Sequence, residues 1–360
     1  MRRRDIAGKR CELSRRLFIA GTGGCFFKDD AGHLVGSIVD LAHDRQRDFI
    51  CEHAADPDVL PPLRTTGLRR PNGTPIDVTA AGVIRAIHTP FFDQVHPVTR
   101  RKVYEFYAYD WRLDLRYNGA RLWEMLRGSG RSEPWDIACH SQGGLLVLWA
   151  SIVAGPIEFR KFVRRVVFFG VPLQGSVNAV QALVNGFSLV PGLDLDAAVV
   201  RTWPSVYMMM PRWRLRVPGA TRVEAFKAST WSSANLLAAD GDLQKGISPH
   251  LLERARAWKK EMDSQSFEAM RGIERLVVVQ GDNLNTLART PKFPAMPDLE
   301  GRRDGEVIVR GDGLVPMDLT LRLVPRELGE MLESVASSVN SHDLMVADQD
   351  QANLCERIFA

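Results

Sequence analysis

A single serine stands where an apolar strand pattern runs into an apolar helix pattern. The segment Trp135-Asp-Ile-Ala-Cys-His-Ser-Gln-Gly-Gly144 passes through His140-Ser141-Gln142-Gly143 directly into Gly143–Val153. That second stretch carries Leu145, Leu146, Leu148, Trp149 and Ile152 and is apolar on nearly all sides, so it belongs in an interior. A tight turn between two such elements holds a serine in a strained backbone conformation with its hydroxyl exposed at a sheet edge, which suits a nucleophile. Strand and helix can approach only if the residues two before and two after the serine are small. Gly143 meets that need, and Cys139 stands where glycine is usual, with a side chain small enough to fit. A strand ending in a polar turn that merely contains serine is the plainer reading; the strand before and the buried helix after favour the nucleophile.

An unaided serine hydroxyl is a poor nucleophile at neutral pH, so a histidine must take its proton and a carboxylate must orient that histidine. In sites of this strand–turn–helix kind the chain order is serine, acid, histidine. Of the eight histidines only His250 and His342 follow Ser141. His250 lies in a charged, solvated stretch, whereas His342 sits in Val339-Asn-Ser-His-Asp-Leu-Met345, a polar loop before the last helical pattern, and is the expected base. Two acids compete: Asp312, between glycines in Gly311-Asp-Gly-Leu-Val-Pro316, and Asp282, just past the strand pattern Leu276–Gln280. A turn aspartate is locally the commoner case, and spacing leaves the pair open. The oxyanion of a tetrahedral intermediate needs preorganised N–H donors. One is expected from the backbone of Gln142, the other from the glycine-rich turn Ala20-Gly-Thr-Gly-Gly24, which lacks the Gly-Lys-Ser/Thr ending of a phosphate loop.

The elements that must position these residues alternate. Strand patterns are expected at Leu17–Ala20, Val103–Tyr109, Trp135–His140, Arg165–Gly170 and Leu276–Gln280, with helical spacing between them, as in Leu115, Leu122, Trp123 and Leu126. This predicts a mostly parallel central sheet with helices on both faces. Leu344, Ala347, Leu354 and Ile358 mark a last helix. Residues 177–265 read differently: helix-rich, with Trp203, Trp213, Trp231 and Trp258 and the run Met208-Met-Met210, they are expected to form a cap inserted between two sheet strands. The expected division is a basic tail over 1–16, a core over 17–176 and 266–360, and the cap over 177–265. The proline-, arginine- and glycine-rich stretch 54–75 reads as an irregular loop.

With 360 residues, 45% hydrophobic and 25% charged, the chain can bury a sizeable core. A formal charge of +4, from 47 basic and 43 acidic residues, does not imply nucleic acid, and none is expected as a partner. Five cysteines without CxxC or HxxxH spacing argue against structural zinc, so neither metal nor cofactor is expected and reduced thiols are the default; a Cys25–Cys51 disulfide would accompany export. Ser14-Arg-Arg-Leu-Phe18 resembles a twin-arginine signal, but the apolar stretch after it is broken by Gly21, Gly23 and Gly24 and meets Lys28-Asp-Asp30 with no cleavage site. A first strand in a cytoplasmic protein is the favoured reading. The longest apolar run, Leu145 to Ala154, is far short of the roughly 20 residues that cross a bilayer, so no transmembrane helix is expected. The arginines at 2–4, 15 and 16 suit either peripheral contact with an anionic membrane or a solvated tail.

These features together read as an α/β-hydrolase fold with a helical cap. They also resemble the lecithin:cholesterol acyltransferase family, which includes lysosomal phospholipase A2. Tyr109-Asp110-Trp111-Arg112 is similar to that family's Tyr-Asp-Trp-Arg segment, His140-Ser141-Gln142-Gly143 to its nucleophile turn, and Gly170-Val-Pro-Leu-Gln-Gly-Ser176 to its Gly-(Thr/Ala)-Pro-x-x-Gly-Ser. Pro204-Ser205 followed by Pro211, then Gly311–Pro316 and His342-Asp-Leu-Met345, resemble its cap, acid and histidine segments in the same order. The resemblance implies Asp312 as the acid, Thr22 as the second oxyanion donor, and acyl esters, of lipids in particular, as substrates of a lipase, phospholipase or O-acyltransferase. Cys139, Leu314, Val171 and Ala20 depart from the pattern without removing a catalytic group. Trp111, Trp203 and Met209 are the candidates for lining an acyl-chain groove, their own small core being the alternative. A catalytically silent lipid- or partner-binding protein of the same fold is the rival from another class.

Overall fold

β-branched and aromatic runs flanked by turn residues set the architecture, and all five expected strands form. The computed structural model describes residues 15–36, 78–86, 88–95, 103–130, 133–188, 194–212, 224–232, 236–238, 245–265, 268–281, 284–289, 307–311, 314–315, 332–337 and 341–359. In chain order the strands are β1 (Arg15–Ile19), β2 (Cys25–Asp29), β3 (Leu34–Gly36), β4 (Val78–Val83), β5 (Tyr104–Tyr107), β6 (Trp135–His140), β7 (Val163–Phe169), β8 (Phe187–Ser188), β9 (Asp194–Leu195), β10 (Arg275–Gly281), β11 (Leu284–Arg289), β12 (Val307–Gly311) and β13 (Leu332–Ser337). The helices are α1 (Thr89–Asp93), α2 (Leu115–Gly128), α3 (Gln142–Phe162), α4 (Val177–Asn185), α5 (Ala197–Val200), α6 (Pro204–Met208), α7 (Ala228–Ser232), α8 (Pro249–Gln265) and α9 (Gln349–Phe359).

Six strands form one sheet in the order β13-β10-β7-β6-β1-β5, every neighbouring pair parallel. From β1 the chain first places β5 on one side, then β6, β7, β10 and β13 successively on the other. The winding direction therefore reverses at β1, and the carboxyl ends of β1 and β6 flank the crevice that such a reversal opens. Successive β1 side chains point to opposite faces. Phe18 meets Phe91 of α1, ring centroids 4.5 Å apart, whereas Ile19 faces Gly143 of α3, so helices cover both faces. All six residues of β6 are buried.

α3 is 21 residues long and apolar enough by length and composition to cross a bilayer. Its first ten residues, Gln142–Ser151, are instead buried inside the protein, and the helix bends at Gly155-Pro156, where Gly155 has φ 72°. α2 packs on it where Gly119 lies against Trp149. Asp114 caps α2 by accepting from the Arg116 N–H at 2.8 Å.

Further strands lie beyond the five strand patterns. β13 adds a further strand at the sheet edge, pairing only with β10. β3-β2-β4 make an antiparallel sheet, and β11–β12 and β8–β9 antiparallel pairs, β12 ending at Gly311 just before Asp312 in the chain. Arg15 and Arg16, grouped with the basic tail by charge, open β1: Arg15 lies 3.6 Å from the centre of the Trp135 ring and pairs with Glu105. The first fourteen residues and the 54–75 stretch lie outside the described residues. Between β7 and β10 come α4 to α8.

A Cβ at Gly119 would stand 2.7 Å from the Trp149 Cβ and 3.0 Å from the Leu146 carbonyl oxygen. Gly119→Val should therefore wedge α2 away from α3 and cost about 1–3 kcal/mol, read as a lower midpoint in thermal unfolding. An unchanged midpoint would show that the two helices do not depend on this approach.

Candidate functional site

Ser141 sits at the carboxyl end of β6, in the turn that opens α3. It is the only non-glycine residue with positive φ among those described, at φ 49° and ψ −126°. An L-residue held there carries strain on the order of 1–3 kcal/mol, which persists only where neighbours over-determine it. They do. The Ser141 N–H donates to the Phe169 carbonyl of β7 at 2.8 Å, and the Gly144 N–H donates back to the Ser141 carbonyl at 3.1 Å. A Cβ on Gly143 would fall 2.6 Å from the Ala20 carbonyl oxygen, and one on Gly144 2.3 Å from Val171, so the strand–helix approach demands glycine at both. Cys139 fills the remaining small position, fully buried with its Sγ 3.4 Å from the Val167 carbonyl oxygen. Burial pushes its thiol pKa far up, which removes it as a competing nucleophile. The Ser141 side chain does not cap α3.

Opposite it, β1 ends in the turn Ala20–Gly24, closed by the Gly24 N–H donating to the Gly21 carbonyl at 3.1 Å. A Cβ on Gly21 would lie 2.7 Å from the Ser141 Cβ, so only glycine lets this backbone reach the serine. The Thr22 hydroxyl donates to Gln142 Oε1 at 2.6 Å, and Gln142 Nε2 donates to the Trp111 carbonyl at 2.8 Å. Thr22 and Gln142 are thus held in contact on one side of Ser141.

His342 follows β13 and is 4% exposed. Its ring packs on that of His140 with centroids 4.7 Å apart, and its carbonyl accepts from His140 Nε2 at 3.1 Å. Of the residues singled out in the sequence, Ser141, Gln142, Thr22 and His342 gather at the β1/β6 crevice. Asp312 and Asp282 lie outside the described residues. Leu314, two residues past Asp312 in the chain, is tied to the loop after β7, its carbonyl accepting from the Ser176 hydroxyl at 2.5 Å. His250 falls in the first turn of α8. Trp111 and Trp203 meet edge-to-face at 5.0 Å in the interior, 0% and 1% exposed, and Met209 is half-buried after α6. Cys25 is a buried free thiol whose pKa burial pushes up to about 12; Cys51 lies outside the described residues. No group of three or more His, Cys, Asp or Glu among the described residues is arranged to hold a metal ion.

Two histidines not singled out from the sequence, His140 and His88, are buried beside this site. His140 directly precedes Ser141, but whether a strand-end histidine turns inward is not written in its neighbours. Burial holds His140 well below the usual histidine pKa, helped by the adjacent His342 and His88, and lowers His88 to about 4. Each stays neutral and donates its one ring N–H to a carbonyl, His88 to Ile84 at 2.8 Å.

No protein-family model matches the sequence, and no curated protein matches it. Among solved structures the chain is similar to one in the crystal structure of the Tle4–Tli4 complex, with a TM-score of 0.51 and 12% identity over 96% of this chain and 98% of that one. A Bacillus licheniformis lipase, BlEst2 in its mature form, aligns with a TM-score of 0.39 and 15% identity over 71% of this chain and 77% of that one. The peroxisomal α/β-hydrolase Lpx1 of Saccharomyces cerevisiae aligns at 0.30 and 11% over 98% and 77%. With its parallel sheet, covering helices and reversal at β1, the chain has the α/β-hydrolase fold.

The buried histidines make stability pH-dependent. Above about pH 6.5 both are neutral folded and unfolded, and unfolding exchanges no proton at them. Below that, the unfolded chain takes up protons that the folded one refuses, so stability falls with falling pH until the folded-state values are reached. Each group contributes up to about 1.4 kcal/mol per pH unit. The thermal midpoint should therefore drop between pH 7 and pH 5, and His88→Gln should flatten that limb. An equally steep limb in the variant would place the proton uptake elsewhere.

Proposed function

We propose that the protein is a serine esterase that acts on acyl esters, those of lipids in particular, through an acyl-serine intermediate. The observation that carries this reading is the strained Ser141 turn at the crevice between β1 and β6, with its hydroxyl unused by the helix it opens. A backbone so constrained between strand and helix, with the glycine turn pressed against the serine and the His342 loop packed on the preceding His140, supports a nucleophile elbow. The lipid preference is supported by the resemblance of Tyr109–Arg112, Gly170–Ser176, Gly311–Pro316 and His342–Met345 to the lecithin:cholesterol acyltransferase family.

In this reading the Ser141 Oγ attacks the ester carbonyl carbon while His342 takes its proton, and Asp312 orients and stabilises the resulting imidazolium. Charge moves onto the carbonyl oxygen, which the backbone N–H groups of Thr22 and Gln142 stabilise. As the intermediate collapses, the bond to the leaving alcohol breaks and His342 returns the proton to it. Water, activated by the same histidine, then releases the acid and restores Ser141; an alcohol in place of water gives acyl transfer. Water exclusion from the site decides between them.

A fluorophosphonate probe should label the wild type and not Ser141→Ala. His342→Ala and Asp312→Ala should lower the labelling rate by about 10³–10⁶-fold. Labelling lost in Asp282→Ala and kept in Asp312→Ala would reassign the acid, and no labelling of a folded wild type would favour the silent binding protein. Mass spectrometry of acyl products from mixed phospholipids, with and without an added alcohol, separates hydrolysis from transfer.

A further inference from the structure

Three hydrogen bonds in series surround the glycine turn after β1. The Thr22 hydroxyl donates to Gln142 Oε1 at 2.6 Å, Gln142 Nε2 donates to the Trp111 carbonyl at 2.8 Å, and the Trp111 indole N–H donates to the Cys25 carbonyl at 3.3 Å. Cys25 is the first residue of β2, three past Thr22, so chain and hydrogen bonds together close a ring. A fourth bond, from the Tyr109 hydroxyl to the Ala20 carbonyl at 2.8 Å, fixes the entrance of the same turn. Gln142 and Trp111 are 0% exposed, Tyr109 3% and Thr22 half-buried, so most of the series lies away from water. The gripping segment is itself rigid. Asp110 and Arg112 form a buried two-pronged pair, 2.9 Å and 2.7 Å, and Asn118 Nδ2 donates to the Asp110 carbonyl at 2.7 Å.

We propose that Gln142 is a positioning residue: its side-chain amide, held by Trp111, fixes the Ala20–Gly24 turn through Thr22 and so aims the turn's backbone N–H at the oxyanion. This rests on the serine-esterase reading and extends it. The residue after the nucleophile gives its main-chain N–H directly and sets the opposite donor with its side chain. Tyr109 and Trp111 act in the same bracket, which assigns a task to a segment otherwise known here only as a sequence likeness. Both ends of the Gln142 amide are matched, Oε1 to a donor and Nε2 to an acceptor. A side chain of similar volume without both capacities breaks the series.

The test uses the whole chain and a fluorophosphonate probe, with labelling rate measured against probe concentration, and amide hydrogen exchange over residues 20–25. Gln142→Met and Thr22→Val keep volume and lose the bonds. Each should lower the maximal labelling rate about 10–100-fold, leave the half-saturating probe concentration unchanged, and speed exchange in the turn. Thr22→Ser, which restores the hydroxyl, should recover most of the rate. Wild-type maximal rates in both Gln142→Met and Thr22→Val, or unchanged exchange in the turn, would overturn the bracket while Ser141-dependent labelling leaves the enzyme reading standing. If the folded wild type takes no probe, the enzyme reading fails. The positioning role falls with it, and exchange then reports only whether the bracket holds the turn.

Discussion

The structure depends on one strained turn. For Ser141 to keep φ 49°, β6 must stop and α3 must start within a single residue, and each partner of that turn must be in place. β7 supplies the Phe169 carbonyl, β1 supplies the Ala20 carbonyl against which Gly143 is seated, and the loop after β7 supplies Val171 against Gly144. Those partners come from the two strands that neighbour β6 in the sheet, β1 and β7. A backbone conformation costing on the order of 1–3 kcal/mol survives because a parallel register on both sides leaves it no room to relax. The same register sets the crevice: at the reversal, the ends of β1 and β6 stand side by side with nothing from the sheet between them.

Burial governs the electrostatics around this turn. His140 and His88 are kept neutral by desolvation, and each satisfies a carbonyl with its one ring proton. A second fixed positive charge beside His342 would disfavour a proton there, which is the proton a general base must take. A neutral His140 can therefore hold the His342 backbone without opposing the proton transfer proposed for that residue. Cys139 and Cys25 fit the same account, since burial raises both thiols and leaves them as small packing groups.

Much of this was legible where one rule dominates. Four of the five strands read from β-branched and aromatic runs, β1, β6, β7 and β10, are the interior of the sheet, where burial on both faces makes the pattern continuous; β5, at the edge, was legible from its aromatic run Tyr104-Glu-Phe-Tyr107. The Ser141 turn was legible because glycine is demanded by backbone contact at 143 and a small side chain suffices at 139. β13 lies beyond the strand patterns because Leu332–Ser337, at an edge with one strand neighbour, is interrupted by Glu333, Ser334 and Ser337 and has no continuous apolar run like Leu276–Val279 of β10. At the candidate site the sequence offers residue types and chain order and says little of side-chain geometry. The partner of the Gln142 side chain is not legible, because nothing local says that an amide at the first turn of a helix meets a hydroxyl 120 residues earlier. Trp111 was read for an acyl groove on its size. Its indole is enclosed by Phe27 and Trp203, an arrangement set by long-range packing.

The Tyr109–Leu115 stretch also joins two parts of the molecule. On one side its Tyr109 and Trp111 hold the glycine turn. On the other, the Arg112 carbonyl accepts from the Ser205 N–H of α6 at 3.3 Å, the Leu115 N–H meets the Met208 sulfur at 3.2 Å, and Asp114 pairs with Arg254 of α8 at 2.7 Å as well as with Arg116. Asp114 is fully buried, and its carboxyl is held below its usual pKa by Arg116 and Arg254 despite the opposing cost of burial. Removing either cation would strand part of a buried charge, so the contact is strongly specified in geometry even where its net energy is small. One short, ion-paired segment therefore sets both the turn that faces Ser141 and the seating of the helices inserted after β7. The same stretch thus lies in direct contact with α6 and α8 on one side and, through the Trp111 carbonyl, with the Gln142 amide on the other.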